Sequence, residues 1–379
     1  MKTKLNQIGK TIIILLIIAV ISVGTASFLY SYSALGPARE LYFKNNEFKV
    51  LQLTDFHEWL AIETPKEVIE QTELKPGLIA QLDTMLDYEK PDFVVLTGDN
   101  TFPLSWLAEH TLSITSKTYV KIAEYMESRK QYWTLTFGNH DTESMISKDI
   151  MLSKVENFSY FIGGTALSGD SYNAAIFKDN KEAGETDSYG NFSIPIYSRQ
   201  FSNKVAYNIM TLDCRSYFSP GHLYLNISNE QTDFYVTQSN LLKGAPTLLF
   251  THIVLKEVVE QYQLAISNNA TIYGYNNGMS PSTLDTSLWE KMHELKNVKG
   301  FFFGHDHNTS ITFKYEVDDW KMLVGITPSA QMDSYDDLES IVHGRSIILN
   351  KNGGLSTYIC SPHFGQDNTY RQDNKIIHL

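Results

Sequence analysis

Short apolar runs, rich in β-branched and aromatic residues, recur along the chain and are closed by Gly, Pro or polar residues. Such runs are typical of buried strands. The clearest one covers residues 91–97, which begin at a proline and end in Gly98-Asp99-Asn100. Runs of the same character occupy residues 48–54, 132–137, 205–212, 247–251 and 298–303. The chain is therefore predicted to have a core built on β-sheets.

Stretches with helical periodicity lie between several of these runs. Residues 67–90 have an apolar stripe that Pro91 ends, and the stripe consists of Leu78, Leu82, Met85 and Leu86. Further helices are predicted at residues 113–130, 230–242 and 284–295. A strand, a helix and a second strand in succession predict parallel pairing through a right-handed crossover.

The remaining segments complete the predicted architecture. Residues 157–203 are rich in Gly, Ser, Asn and Asp and are predicted to form long loops or an insertion. A finishing antiparallel sheet is predicted at residues 311–317, 321–326, 345–349 and 354–360. The predicted fold class is α/β: a four-layer αββα sandwich in which helices flank two mixed β-sheets. It forms one domain over about residues 45–365, and residues 366–379 are a C-terminal tail.

The amino terminus has the pattern of an export segment. Lys2, Lys4 and Lys10 precede an uncharged run at residues 11–30 whose centre is almost wholly aliphatic. Residues 1–35 are therefore predicted to be either a cleavable signal peptide, cut near Gly24-Thr25-Ala26, or an uncleaved anchor that spans the membrane once. The anchor is preferred. It would leave the lysines in the cytoplasm and the rest of the chain in a lumen or outside the cell, whereas cleavage would give a secreted protein.

Net charge and cysteine content restrict the classes of protein to which the chain can belong. The formal net charge of −12 argues against nonspecific binding to nucleic acid, which depends on basic surface. Cys214 and Cys360 are the only cysteines, so a disulfide framework is excluded, although one bridge stays open in an oxidising compartment. Sequons for N-glycosylation, of which several are expected by chance, occur at Asn157, Asn191, Asn226, Asn269 and Asn308. The oligomeric state is not specified by the sequence.

Side chains that bind metals follow five of the predicted strands. They are Asp55 and His57, then Asp99, then Asn139 and His140, then His252, then His305 and His307. Carboxylate, carboxamide oxygen and neutral imidazole suit first-row divalent ions such as Zn, Mn or Fe, and the set contains no thiolate. Because the donors outnumber the needs of one tetrahedral site, two ions bridged by one carboxylate are predicted. By contrast, Arg345 is interpreted as a solvated residue of a strand edge and Phe301-Phe302-Phe303 as core.

In their order, these motifs resemble the calcineurin-like metallophosphoesterase superfamily. The motifs are Asp55-x-His57, Gly98-Asp99, Gly138-Asn139-His140-Asp141, a lone His252 after a strand, and Gly304-His305-Asp306-His307. The resemblance covers about residues 48–315. Within the superfamily the chain looks nearest to the exported, purple-acid-phosphatase-like branch.

The resemblance implies a role for each of these residues. Asp55, His57 and His307 would hold the first ion, and Asn139, His252 and His305 the second, while Asp99 bridges the two. His140 would face the substrate phosphate and protonate or stabilise the leaving oxygen, with Asp141 orienting it. A His suits this donor role because its pKa lies near the working pH.

The implied function is metal-dependent hydrolysis of a phosphoric ester by a hydroxide that bridges two ions. Monoesters are favoured over diesters, and the phosphorylated substrate is not specified. The alternative is a catalytically silent, metal-stabilised binding protein at a cell surface, which would need a lost ligand or acid.

The chain departs from purple acid phosphatases at two positions. Those enzymes have a tyrosine three residues after the bridging Asp, where this chain has Phe102, and a glycine where it has His57. Without a tyrosinate ligand, no ferric charge-transfer colour is expected. The ions are expected to be divalent or mixed-valence Fe, Zn or Mn.

Overall fold

The computed structural model describes most of the chain from Glu40 onward, and these residues belong to one compact unit, Glu40–Leu379. The described residues are 40–58, 61–63, 68–101, 108–143, 146–164, 173–177, 187–215, 217–218, 223–283, 286–330, 342–362 and 376–379. The export segment predicted at residues 1–35 lies outside them, as does most of the predicted tail. Within these ranges, a search for a helix both long and apolar enough to cross a bilayer finds none.

The described chain contains nineteen strands and six α-helices. The strands are β1 (Leu41–Tyr42), β2 (Glu47–Leu53), β3 (Ala61–Glu63), β4 (Val68–Glu70), β5 (Phe93–Thr97), β6 (Trp133–Thr136), β7 (Asn173–Phe177), β8 (Ser188–Tyr197), β9 (Val205–Thr211), β10 (Tyr217–Phe218), β11 (Leu223–Tyr224), β12 (Thr247–Phe250), β13 (Ile272–Tyr273), β14 (Val298–Phe303), β15 (Thr312–Val317), β16 (Trp320–Ile326), β17 (Gly344–Asn350), β18 (Leu355–Cys360) and β19 (Ile377–His378). The helices are α1 (Pro76–Glu89), α2 (Ala108–Ser128), α3 (Lys148–Val155), α4 (Asn229–Leu241), α5 (Lys256–Ser267) and α6 (Ser287–Leu295), and a 3₁₀ turn covers His140–Thr142.

Two mixed sheets hold most of these strands. The smaller has the order β19-β18-β17-β2-β5-β6, and the larger has β1-β8-β9-β12-β14-β16-β15-β13 with β7 paired to β8. In the smaller sheet β2, β5 and β6 are parallel, as the strand-helix-strand pattern predicts. In the larger sheet β9, β12, β14 and β16 are parallel. Parallel neighbours end at the same edge of a sheet, so the loops that follow them lie together.

The core consists of two hydrophobic clusters, which lie on opposite faces of the larger sheet. In β14, Phe302 belongs to the cluster shared with the smaller sheet and with α1 and α2, whereas Phe301 and Phe303 belong to the cluster under α4, α5 and α6. This division follows from strand geometry, because successive side chains point to opposite faces. The predicted four-layer sandwich of helices and two mixed sheets is therefore confirmed, as is the core position of the three phenylalanines.

Three sequence predictions about elements need correction. The helix expected at residues 67–90 begins only at Pro76, and β4 occupies Val68–Glu70 before it. The segment at 157–203, read as loops, contains β7 and the largely buried ten-residue strand β8. The four finishing strands do not share one sheet: β15 and β16 belong to the larger one, and β17 and β18 to the smaller one.

One prediction about a single residue is also wrong, and a question that the sequence left open, the pairing of the two cysteines, is answered. Arg345 is fully buried rather than solvated. Its guanidinium donates to neutral oxygens of both sheets, among them Thr327 Oγ1 at 2.9 Å and Thr312 Oγ1 at 2.7 Å. Cys214 and Cys360 are both buried free thiols, so the bridge that the sequence left open is not formed.

Candidate metal centre

Donor side chains from both sheets converge at the ends of five strands. Asp55 and His57 follow β2, Asp99 follows β5, and Asn139 and His140 follow β6, all in the smaller sheet. His252 follows β12 and His305 and His307 follow β14, in the larger sheet. Two clusters of three meet the distance criteria for a metal site among the described residues: Asp55, His57 and His307, and Asp99, His252 and His305. Each cluster combines residues of both sheets.

Asp99 lies between the two clusters. Its Oδ2 is 3.0 Å from His252 Nε2 in its own cluster and 3.7 Å from His57 Nε2 in the other. Asp55 Oδ1 likewise lies 3.4 Å from His307 Nε2 and 3.8 Å from His252 Nε2. The donors thus form one continuous group, in which Asp55, His57 and His307 stand together and His252 and His305 stand with Asp99. Their assignment as ligands stays a prediction.

The hydrogen bonds of the donors have a pattern that fits metal ligands. Asp55 Oδ1, Asp99 Oδ2 and His252 Nε2 are buried and have no hydrogen-bond partner outside their own group. The other polar atom of each group is held: Asp55 Oδ2 accepts from Thr54 Oγ1 at 2.7 Å and from His305 N–H at 2.9 Å, and Asp99 Oδ1 accepts from His140 N–H at 2.8 Å. His252 Nδ1 donates to Thr97 O at 2.8 Å, so Nε2 is the ring nitrogen that faces the centre.

An unsatisfied buried polar atom costs about 1–3 kcal/mol. His252 Nε2 lies 3.8 Å from Asp55 Oδ1 and 3.0 Å from Asp99 Oδ2, and a bound cation would take its place as their partner. The donor chemistry and these atoms together fit a bound pair of divalent ions.

The backbone at the site is strained in a way that the fold compensates. Asp55, His57, Asp99 and His305 have φ angles of 54°, 46°, 49° and 71°. These values lie in the left-handed region, which costs non-glycine residues on the order of 1–3 kcal/mol each. The loops after β2 and β5 hold one another in this conformation, since Asp55 N–H donates to Gly98 O and His57 N–H to Asp99 O, both at 3.0 Å.

Three glycines let the loops approach closely. A Cβ on Gly98 would lie 2.7 Å from His252 Nδ1, and a Cβ on Gly138 would lie 2.5 Å from the backbone nitrogen of Asp99. A Cβ on Gly304 would lie 2.8 Å from Asp55 Oδ2. Each distance is shorter than real Cβ contacts, so the glycine before each donor motif has a steric reason.

Beneath the donors, Gln52 joins the strand ends of the two sheets. Its Nε2 donates to Thr97 Oγ1 at 3.0 Å, next to the Gly98-Asp99 loop, and to Phe303 O at 3.1 Å, next to Gly304-His305. Its Oε1 accepts from Thr327 Oγ1 at 2.7 Å. All the polar atoms of this buried side chain are therefore satisfied by groups that support the site.

Burial and charge set the protonation of the donors. Burial raises the pKa of Asp55 and Asp99, but His252 and the other imidazoles outweigh it and hold both values below the usual range. Burial, with the nearby His252, lowers the pKa of His305 to about 3. Burial also lowers the pKa of His252, but Asp99 and Asp55 reverse the effect and raise it to about 10. A metal ligand must be unprotonated, so binding of a cation would displace the His252 proton.

His140 and Asp141 differ in their surroundings. His140 belongs to neither cluster, its side chain is 25% exposed, and its Nε2 lies 3.9 Å from Asp99 Oδ2. Asp141 is fully buried and accepts from the backbone N–H groups of Asn100, Thr101 and Gly138 and from Tyr119 OH. The prediction that Asp141 orients His140 is therefore not supported, because its oxygens hold the loops of Asp99 and Asn139 together instead.

Sequence reasoning missed two residues beside the site. Glu143 Oε2 lies 2.8 Å from His140 Nδ1, and the Tyr224 ring meets the His305 ring edge-on at 4.6 Å between centroids. The Gly138-Asn139-His140-Asp141 motif is followed two residues later by Glu143, so a turn-based reading of the motif could have included it. Tyr224 lies far from every donor in sequence and gives no such signal.

A sandwich of two mixed sheets with two clusters of histidine and carboxylate donors at its strand ends has the features of the class of metal-binding proteins. The comparison with family models identifies the group within that class: the chain belongs to the calcineurin-like phosphoesterase family, whose model matches residues 48–309. The resemblance found in the sequence is thereby confirmed.

Three known proteins illustrate the similarity. "Probable inactive purple acid phosphatase 29" of Arabidopsis thaliana is 26% identical over 298 residues, which cover 72% of this chain and 70% of that protein. "Phosphatase DCR2" of Saccharomyces cerevisiae is 23% identical over 274 residues, which cover 69% of this chain and 44% of that protein. A dimetal phosphatase structure from Danio rerio aligns with a TM-score of 0.49 at 11% identity, covering 87% of this chain and 98% of that one.

Proposed function

We propose that this chain is a metal-dependent phosphoric ester hydrolase that prefers monoesters to diesters. The observation that carries the proposal is the convergence of Asp55 Oδ1, Asp99 Oδ2 and His252 Nε2, which are buried, lie close to one another and have no hydrogen-bond partner outside this group. The preference for monoesters is supported by the purple acid phosphatase and phosphatase names of the relatives and by the motif resemblance.

The chain would hold two ions between its sheets. Asp55, His57 and His307 would bind one ion, and Asn139, His252 and His305 the other, while Asp99 would bridge them because it lies within reach of both clusters. Oxygen and imidazole donors suit Zn, Mn or Fe. When bound, such a pair supplies hydroxide near neutral pH and neutralises the phosphate oxygens on which charge builds.

His140 would act on the leaving group. It is partly exposed, whereas the side chains of Asp55, Asp99, His57 and His252 are at most 1% exposed, so it stands where a substrate can reach it. Its Nε2 would donate a proton to the leaving oxygen as the bond to phosphorus breaks. Asp141 would keep the loops of Asp99 and Asn139 in register through its four hydrogen bonds.

Hydrolysis of p-nitrophenyl phosphate and of bis-p-nitrophenyl phosphate tests the proposal. The chain is stripped with a chelator and assayed alone, with Mn²⁺ and with Zn²⁺. Turnover that requires added metal and is faster for the monoester is expected. Faster turnover of the diester would overturn the preference, and absence of turnover of both esters with every metal would overturn the hydrolase.

One observation favours a second function. The name of the Arabidopsis relative calls it probably inactive, which fits a metal-stabilised binding protein without catalysis. In this chain, however, every expected ligand position and His140 are present. The ester assay, combined with measurements of bound metal and of thermal stability, distinguishes the two functions. A binding protein would take up two ions and gain thermal stability but would hydrolyse neither ester.

Export to the secretory pathway is proposed from the pattern of residues 1–35. The placement is tested by protease treatment of intact cells or sealed membranes that contain the full chain. A catalytic domain that is found in the cytoplasm by this treatment would overturn the proposed export. Amino-terminal sequencing of the exported product then distinguishes a secreted, cleaved form from an anchored one.

A further inference from the structure

Glu143 lies beside His140 because of the turn that joins them. His140 is the first residue of the 3₁₀ turn His140–Thr142 and Glu143 follows its last residue; in such a turn three residues complete one turn and side chains at i and i+3 lie above one another. Glu143 N–H donates to His140 O at 3.1 Å, which closes the turn. The Glu143 carboxylate then reaches the His140 ring, with Oε2 at 2.8 Å from Nδ1.

The same turn directs Asp141 elsewhere. Consecutive residues of a 3₁₀ turn are about 120° apart around its axis, so Asp141 cannot share the face of His140 and Glu143. Its Oδ1 accepts from Tyr119 OH at 2.7 Å and its Oδ2 from Gly138 N–H at 2.8 Å. The Asp141 carboxylate, although nearest to His140 in sequence, therefore forms hydrogen bonds within the loop, and the Glu143 carboxylate contacts the His140 ring.

We propose that Glu143 is a positioning residue for the hydrolysis proposed above, on which this inference rests. The Glu143 carboxylate accepts the Nδ1–H of His140 and fixes the ring so that Nε2 faces the leaving oxygen of the substrate. In the reaction, hydroxide oxygen forms a bond to phosphorus and the bond from phosphorus to the leaving oxygen breaks. The leaving oxygen takes the proton from Nε2, while the Nδ1 proton stays in its hydrogen bond to Glu143.

The exposure of the ring makes such a contact necessary. The His140 side chain is 25% exposed, and its ring centroid lies 5.3 Å from that of His57 at an interplanar angle of 60°. The terminal torsion of His is intrinsically broad, so a ring of this exposure gains a defined orientation from a directional contact. A charge-assisted hydrogen bond is about twice as strong as a neutral one and restricts that rotation.

The test compares two esters with different leaving groups in the metal-loaded, full-length protein. Phenolate, with a pKa of about 10, needs a proton as it leaves, whereas p-nitrophenolate leaves readily without one. Glu143→Ala should lower kcat for phenyl phosphate by about 10- to 100-fold, a part of the ~10²–10⁴-fold that a proton donor contributes. The fall for p-nitrophenyl phosphate should be several-fold smaller, and KM and the content of bound metal should be retained.

Two further variants sharpen the comparison. Glu143→Gln keeps an oxygen that can accept the Nδ1–H and should give an intermediate loss with the same dependence on the leaving group. Glu124→Gln is the matched control, because Glu124 pairs with Lys121 at the same i, i+3 spacing and 2.8 Å but on a surface helix. It should behave as wild type with both esters.

A second readout does not depend on turnover. In protein labelled with ¹⁵N-histidine and loaded with zinc, the hydrogen-bonded Nδ1 proton of His140 should give a resonance that Glu143→Ala removes. Persistence of this resonance, equal losses for both esters, absence of any loss, or loss of metal would each overturn the positioning role. An inactive wild-type protein would instead refute the proposed hydrolase, so the two failures are distinguishable.

Discussion

A single methyl group on Gly138 should separate metal binding from folding. A Cβ there would lie 2.5 Å from the backbone nitrogen of Asp99 and 2.7 Å from its Cγ. Ordinary contact begins at 3.4 Å, so the Asp99 backbone or the Gly138 loop must move by about 0.9 Å. Gly138→Ala therefore displaces the carboxylate that lies between the two donor clusters.

The magnitudes favour loss of the site over loss of the fold. Overpacking costs about 1–3 kcal/mol, which is a minor part of the ~5–15 kcal/mol of a typical domain. Metal sites tolerate changes of only about 0.2 Å in ligand distances. Because disturbance of supporting contacts alone weakens binding about 10- to 100-fold, a shift of the ligand itself should weaken it by at least about 100-fold.

The assay measures both quantities on the same preparations. Zinc affinity is obtained by competition with a chelator, and thermal unfolding of the metal-free protein reports the fold. Gly354→Ala is the control, since a Cβ at Gly354 meets no atom closer than 3.5 Å. The reasoning is refuted if Gly138→Ala binds two zinc ions as tightly as Gly354→Ala, or if the metal-free variant is unfolded.

Four other outcomes follow from the structure. Asp99→Ala should lose both ions, measured as metal per chain, because Asp99 lies between the clusters. His140→Ala should keep both ions while kcat for phenyl phosphate falls ~10²–10⁴-fold, and loss of metal in both variants would contradict this separation. Burial raises the pKa of Tyr207 to about 12, whereas the same phenol in the unfolded chain loses its proton near pH 10, so the free energy of unfolding falls between pH 10 and 12. Denaturant titrations at several pH values in this range should show a shallower fall for Tyr207→Phe than for the wild type. In exported protein, mass spectrometry of glycopeptides should find glycans at the exposed Asn157 and Asn269, whereas a glycan at the buried Asn191 would contradict the structure.

The donor positions were accessible to sequence reasoning because each depends on local signals. Pro91 before a β-branched run and Gly98 after it mark the limits of one strand, and Asp99 follows directly. The same logic located His252 and His305, and parallel strands then bring their ends to one edge. The fold class followed from the same alternation of strands and helices.

Tertiary contacts decided what the sequence could not show. Strand β8 is rich in residues that favour loops, but its Asn191 is buried because Asp213 N–H and Gln231 Nε2 donate to its side-chain oxygen. Arg345 looked like a surface residue because its neutral acceptors lie on other strands. Asp141 looked like the partner of His140 because sequence proximity does not reveal the direction of a side chain in a 3₁₀ turn.

The link that Gln52 makes beneath the centre has a consequence for how ions are acquired. Opening the gap between the sheets would break its buried bonds to Phe303 and Thr327 together, so the binding site for the ions is assembled before they arrive. Uptake then requires dehydration of the ion rather than refolding of the chain. A preformed binding site with oxygen and imidazole donors accepts several divalent ions, and the concentrations of these ions in the compartment decide which one is bound.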